Sequence, residues 1–266
     1  MTNEKILEKI LTEIKINKEP DLKTGFKELD YILSGVELGS IITIAARPAM
    51  GKTSLSLNLL NNFCEQGKKC LFLTTRESER LLLKRLLIQK SEIGFHKITQ
   101  EKINKTDIKK METAKNEICN WNFKIKNYTS FGFKEIEEII EKEKADYIFI
   151  DDIQLLVYDE DWILKELKNT ALKQNIIIFL TSSLSRNLEH RTDKSPLLCD
   201  LKQTTVLEDI SDVVMMIYRE DYYNSESKND AEIIIAKNTC GCSCTINLKF
   251  NPKCAKFDEK ELIFNF

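Results

Sequence analysis

The chain has 266 residues, enough to bury one large core, and its net charge of −2 excludes a global basic field aimed at nucleic acid. The first residues are charged where a secretory signal needs an apolar core, and no apolar run is long enough to span a membrane, so the sequence reads as cytoplasmic. The eight cysteines are then reduced residues rather than a disulfide framework, and only four prolines and eight glycines interrupt regular structure.

The first predicted element is a helix over 3–17, with Ile6, Ile10, Leu11 and Ile14 on one face. Lys18-Glu19-Pro20 ends it, dividing the chain into an N-terminal linker-like helix (1–22) and a single domain (23–266). The apolar face has nothing before it to pack on, so it docks on its own domain or on a neighbouring subunit. Strands at 41–46, 69–75, 122–127, 146–151 and 175–182 then alternate with helices near 53–66, 78–92, 105–120, 132–144 and 161–174. That rhythm predicts an α/β fold with a mainly parallel sheet covered on both faces. After 212 the connections shorten, and strands at 212–219, 231–237 and 243–250 are expected as antiparallel additions at one edge. The polar stretch from Asp221 to Asp230 reads as a loop.

The first candidate site lies between strand 41–46 and the next helix, where the chain reads Ala46-Arg47-Pro48-Ala49-Met50-Gly51-Lys52-Thr53, followed by Ser54. Strand, tight turn and helix are the context of a phosphate-binding loop, whose backbone N–H groups form a concave anion site. Lys52 adds a positive charge for the β- and γ-phosphates of ATP, and Thr53 a hydroxyl for Mg²⁺. A carboxylate on a neighbouring strand must orient that metal, and Asp151, directly after the run Tyr147-Ile148-Phe149-Ile150, is the choice, with Asp152 the next acid along. Strand 69–75 ends at Arg76-Glu77, so Glu77 is a candidate for activating water. Cys240, Cys242 and Cys244 alternate around Gly241 on an expected hairpin, without the spacing of a metal site, so no metal beyond nucleotide-bound Mg²⁺ is expected. Arg186, Arg191, Lys194 and Lys202 punctuate a loop region after the fifth strand and by themselves read as solvated charges.

In combination and in order, these residues resemble the motor domain of DnaB-type replicative helicases, within the RecA-like ATPases. The resemblance runs from Thr24-Gly25-Phe26-Lys27-Glu28-Leu29-Asp30, through the phosphate loop, Glu77, Asp151 and Gln154-Leu155, to Leu184–Lys194, Asp200–Asp212, Ile217-Tyr218-Arg219 and Ile233–Lys237. It implies a RecA-like P-loop fold and ATP hydrolysis with Mg²⁺ between subunits of a ring-shaped homo-oligomer such as a hexamer. Single-stranded DNA and replication proteins are the implied partners. Glu77 then falls at the water-activating position and Lys237 is the residue reaching across the subunit interface. Arg186, Arg191, Lys194, Lys202 and Gln203 face DNA, gripping phosphates rather than stacking on bases. The N-terminal domain of full-length family members has no counterpart here beyond the helix at 3–17.

Three departures accompany the resemblance. Ser183 stands where the family has a γ-phosphate-sensing glutamine, Lys202-Gln203 replaces an Arg-Glu pair, and Thr239 occupies the arginine-finger position. A missing finger costs about 10³ to 10⁵ in rate. Two functions follow: an ATP-dependent helicase-like motor, or an ATP-binding, weakly hydrolysing switch that regulates a replication or recombination partner.

Overall fold

A computed structural model describes residues 2–16, 19–100, 102–127, 132–155, 160–202, 205–224, 226–227 and 229–260. In chain order the helices and strands are α1 (Asn3–Lys15), α2 (Lys27–Ile32), β1 (Ile41–Ala46), α3 (Lys52–Glu65), β2 (Cys70–Thr74), α4 (Glu79–Ser91) and α5 (Phe95–Thr99). There follow α6 (Lys105–Cys119), β3 (Phe123–Asn127), α7 (Phe133–Glu143), β4 (Tyr147–Asp151), α8 (Glu160–Gln174), β5 (Ile177–Ser183) and α9 (Thr205–Ile210). Four strands finish the fold: β6 (Val213–Arg219), β7 (Asp230–Asn238), β8 (Cys244–Asn251) and β9 (Lys256–Glu259).

All nine strands join one sheet in the order β3-β2-β4-β5-β1-β6-β7-β8-β9. Alternation along each strand divides the core between the two faces. Ile42 and Ile44 of β1, Phe72, Phe149 and Phe179 pack with Leu55, Leu59 and Phe63 of α3 on one side. Ile41, Leu71, Leu73, Ile148, Ile150, Ile178 and Leu180 pack with α7 and α8 on the other. Phe63 is the hub of the first face, with ring centroids 4.2 Å from Tyr147, 5.6 Å from Phe179 and 6.2 Å from Phe149.

The expected α/β architecture, parallel in the middle with antiparallel strands at the C-terminal edge, is the one observed. One strand differs. β6 pairs parallel with β1, and only β7, β8 and β9 are antiparallel. The chain between β5 and β6 is long enough to cross back over the sheet, which a parallel neighbour requires. The short elements α2, α5, α9 and β9 escape periodicity because each has too few residues to show a repeat. Cys240 and Cys242 lie in the turn joining β7 to β8, and of the three alternating cysteines only Cys244 is in a strand.

Helix α1 buries none of its residues. Ile6, Leu7, Ile10, Leu11 and Ile14 are all exposed, so within one chain the helix keeps its apolar face in solvent rather than against its own domain.

Because Phe63 is fully buried among three rings, Phe63→Ala leaves a cavity that those rings cannot collapse to fill. It is expected to lower the unfolding free energy by about 3–5 kcal/mol, read from the midpoint of a denaturant titration.

Candidate functional site

The parallel registers bring four strand ends to one rim. Ala46 lies beside Ser183, and Thr74 beside Asp151, at the carboxyl edge where open α/β sheets bind ligands. Between β1 and α3 the chain turns through Arg47-Pro48-Ala49-Met50-Gly51, with Ala49 at φ 64° and Gly51 at φ 113°. Among the described residues no side chain caps α3, so the N–H groups of its first turn stay available to an anion. Anything larger at Gly51 is strained: its φ is left-handed, and a Cβ there would meet Phe257 Cζ at 2.9 Å.

The loop is braced from two sides. Arg47 Nε donates to Glu189 Oε1 at 2.7 Å, and its Nη1 to the Leu184 carbonyl at 2.8 Å. Arg219, at the end of β6, donates to the Ala49 carbonyl at 3.4 Å, pairs with Asp221 at 2.7 Å, and stacks its guanidinium 3.7 Å from the Phe250 ring centroid. Pro48 and Ala49 are exposed at the tip, while Met50 is buried beneath it.

Lys52 is only 7% exposed, and its Nζ donates to the Ala46 carbonyl at 3.3 Å and to Ser183 Oγ at 3.3 Å. Burial lowers its pKa, with Asp152 and Asp151 acting in the opposite direction. A buried ammonium on long neutral contacts is prepared for an arriving anion. Thr53 Oγ1 donates to Asp151 Oδ2 at 2.8 Å, and Asp151 Oδ1 accepts from Thr181 Oγ1 at 2.5 Å. A hydroxyl and a buried carboxylate in contact are hard oxygen donors of the kind Mg²⁺ takes, so the residues present fit that ion.

Asp152 points to the same rim. Its Oδ2 accepts from Arg76 Nη1 at 3.1 Å and from Ser183 Oγ at 3.4 Å, and its Oδ1 from the Gln154 N–H at 3.1 Å. Burial raises its pKa, opposed by the Gln154 bond and by Lys52. The Gln154 side chain ties the motif to β5, donating to Ser182 Oγ at 2.7 Å and accepting from the Ser183 N–H at 3.0 Å. Glu77 is differently engaged. Its Oε1 accepts from Arg85, whose other nitrogen donates to Ser54 Oγ at 3.0 Å, while its Oε2 is buried with no hydrogen-bond partner among the described residues.

The remaining candidates scatter. Arg186 and Lys202 are exposed. Arg191 is clamped on Asp200 at 2.7 Å and on the Ser195 carbonyl at 2.7 Å, and Lys194 donates to the carbonyls of Glu189 and Arg191. These two hold the loop's shape, helped by the Leu184–Leu201 bridge. Gln203 lies outside the described residues. Lys237 Nζ donates to the carbonyls of Glu208 at 2.6 Å and Asp209 at 3.3 Å near the end of α9, a favourable place for a cation. Thr239 is exposed beyond it. Arg76, Arg85 and Thr181 carry contacts of the site without having been assigned a role from the sequence, and Arg219, which the resemblance included, braces the loop. For Arg76 there was a signal, since it directly follows a strand whose end meets the rim.

A family model described as the DnaB-like helicase C terminal domain matches residues 21–259. A probable replicative DNA helicase of Trieres chinensis is 31% identical over 95% of this chain, and the replicative DNA helicase DnaB of Geobacillus stearothermophilus is 31% identical over 92%. The chain spans 61% and 58% of those relatives' lengths. Among solved structures, an isolated ATPase domain superposes with a TM-score of 0.92 at 29% identity, covering 98% of this chain and 99% of that one. A DnaB-like replicative helicase studied with primase superposes at 0.89 with 29% identity, over 98% of this chain and 67% of that one.

The left-handed φ and the Phe257 contact make Gly51 the most constrained point of the loop. Gly51→Ala is expected to cost about 1–3 kcal/mol of stability, visible as a lower thermal midpoint before any ligand is added.

Proposed function

The chain belongs to the DnaB-like helicase C-terminal domain family, and we propose that it is the ATP-hydrolysing motor module of a replicative DNA helicase. One observation carries the reading: the buried Lys52 stands at the sheet's carboxyl rim beside a Thr53–Asp151 pair 2.8 Å apart. Lys52 and the backbone N–H groups within 46–54, Pro48 excepted, take the triphosphate, and Thr53 with Asp151 holds Mg²⁺. When bound, that ion neutralises charge on the phosphate oxygens.

Around this pocket the module works in a ring of identical subunits. The exposed apolar face of α1, in the segment 1–22, supplies a linker that covers a neighbour and is covered by it, leaving 23–266 as the motor domain. Arg186 and Lys202, exposed beyond β5, meet the phosphates of single-stranded DNA, as does Gln203, next in sequence, while Arg191 and Lys194 keep that loop in shape. Lys237 reaches the next subunit's nucleotide only after releasing the α9 carbonyls, and Thr239 beside it brings no charge, so turnover is slow for such a motor. A primase or another replication protein is the further partner, by likeness to the helicase studied with primase.

Mixing the purified protein with ATP and Mg²⁺, with and without single-stranded DNA, tests the motor. Turnover is expected to rise with DNA and to fall at least about 10²-fold in Lys52→Ala. Tight ATP binding with negligible hydrolysis in both conditions would instead identify a switch. For the DNA contact, Lys202→Ala is expected to weaken binding alike for all sequences and to reduce the salt slope by about 1. An unchanged slope would remove Lys202 from the interface.

A further inference from the structure

We infer that Asp152, and not Glu77, is the carboxylate that orients the attacking water against the γ-phosphate, with the Arg76 guanidinium as the cation at its side. The inference rests on the ATP-hydrolysing reading above and specifies which residues of the pocket perform the step.

Lys52 marks where the terminal phosphates lie. Lys52 and Ser54 are two residues apart in α3, and so about 200° apart around its axis. The two acids divide between these opposite directions. Asp152 is linked to Lys52 through one hydroxyl, since Ser183 Oγ is 3.3 Å from Lys52 Nζ and 3.4 Å from Asp152 Oδ2. Glu77 is linked to Ser54 through Arg85, on the side of the helix turned from the lysine. Its Oε2 is buried without a hydrogen-bond partner among the described residues, and the side-chain contact Glu77 does make runs to Arg85 and not to Lys52 or Ser183.

Asp152 is also held as a water-orienting group should be. Its Oδ1 is fixed by the Gln154 N–H at 3.1 Å, and Gln154 is itself locked to β5 through Ser182 and Ser183. Its Oδ2 carries two long contacts, to Arg76 at 3.1 Å and to Ser183 at 3.4 Å, beyond the roughly 2.7–2.9 Å usual for a tight charge-assisted bond. The Arg76 side chain is 53% exposed, so it can leave that oxygen for a γ-phosphate arriving at the same rim and free Oδ2 for water. A cation from the chain's own β2 end also supplies charge that Thr239 cannot supply from a neighbour, as arginines acting in cis do in other nucleotide hydrolases. In the step, the water oxygen, aligned by Asp152, bonds to the γ-phosphorus as that phosphorus parts from the β,γ-bridging oxygen. ADP keeps the bonding electron pair, and the water protons leave with inorganic phosphate and to bulk solvent.

ATP turnover and binding of fluorescent ADP, measured with Mg²⁺ and single-stranded DNA, test this on the full chain. Asp152→Asn is expected to lose about 10²-fold or more in turnover while ADP affinity stays within about threefold, and Glu77→Gln less than about tenfold. Arg76→Ala is expected to lose about 10²-fold with ADP affinity likewise retained. Should Asp152→Asn fail to bind ADP, Asp152→Glu gives the reading, with turnover at least about tenfold down and binding retained. Turnover abolished by Glu77→Gln but near normal in Asp152→Asn overturns this inference and leaves the motor intact. An unsubstituted chain that binds ADP yet never hydrolyses ATP overturns both.

Discussion

An ammonium group kept out of water without a carboxylate in contact among the described residues is the condition around which this protein is arranged. Lys52 is buried at the first turn of α3, and its contacts are a carbonyl and a hydroxyl, both at 3.3 Å. Desolvating a cation is costly, and burial accordingly draws its pKa down. The acids at the end of β4 oppose that shift without neutralising it directly: Asp151 is bound to Thr53 and Thr181, and Asp152 to Arg76, Ser183 and Gln154. The result is a pocket whose charges are balanced as a group and unsatisfied at one point, which favours a polyanion that arrives with its own metal.

That condition needs a rigid mount, because a loop free to relax would bring the lysine to water. The mount comes from distant parts of the chain. Glu189 and the Leu184 carbonyl hold Arg47 from the segment after β5, and Arg219 holds the Ala49 carbonyl from the end of β6. Phe257 of the last strand closes on Gly51. The antiparallel edge strands thus support the phosphate loop from beneath rather than merely extending the sheet. The segment that carries Glu189 also carries Arg186 and, through the Leu184–Leu201 bridge, Lys202. The loop before α3 and the segment with the exposed basic residues are thus joined through one ion pair of 2.7 Å.

The carboxylates show how a change at one position alters its neighbour's task. Arg76 brings a guanidinium to the rim at the end of β2, and Asp152 brings a second acid to the end of β4 facing it. Glu77, one residue further on, turns to Arg85. Arg76 and Glu77 lie in the bend beyond β2, and there the two neighbours take different partners, Asp152 for one and Arg85 for the other.

Features written in local pattern were legible before any coordinates. Continuous apolar runs marked β1, β2, β4 and β5, helical spacing marked the long helices, and Gly51-Lys52-Thr53 after a β-branched strand marked the turn into α3 as the candidate anion site, because each signal lies within a few consecutive residues. Legible too was that Asp151 ends a buried strand, and hence that a carboxylate stands at the rim. The parallel pairing of β6 was not, since register is set between segments far apart in the chain. Folding also separates Arg191 and Lys194, whose donors are taken up within their own loop, from the exposed Arg186 and Lys202. It turns Glu77 and Asp152 in different directions, because a side chain's facing depends on partners, here Arg85 and Ser183, that no local spacing connects to it.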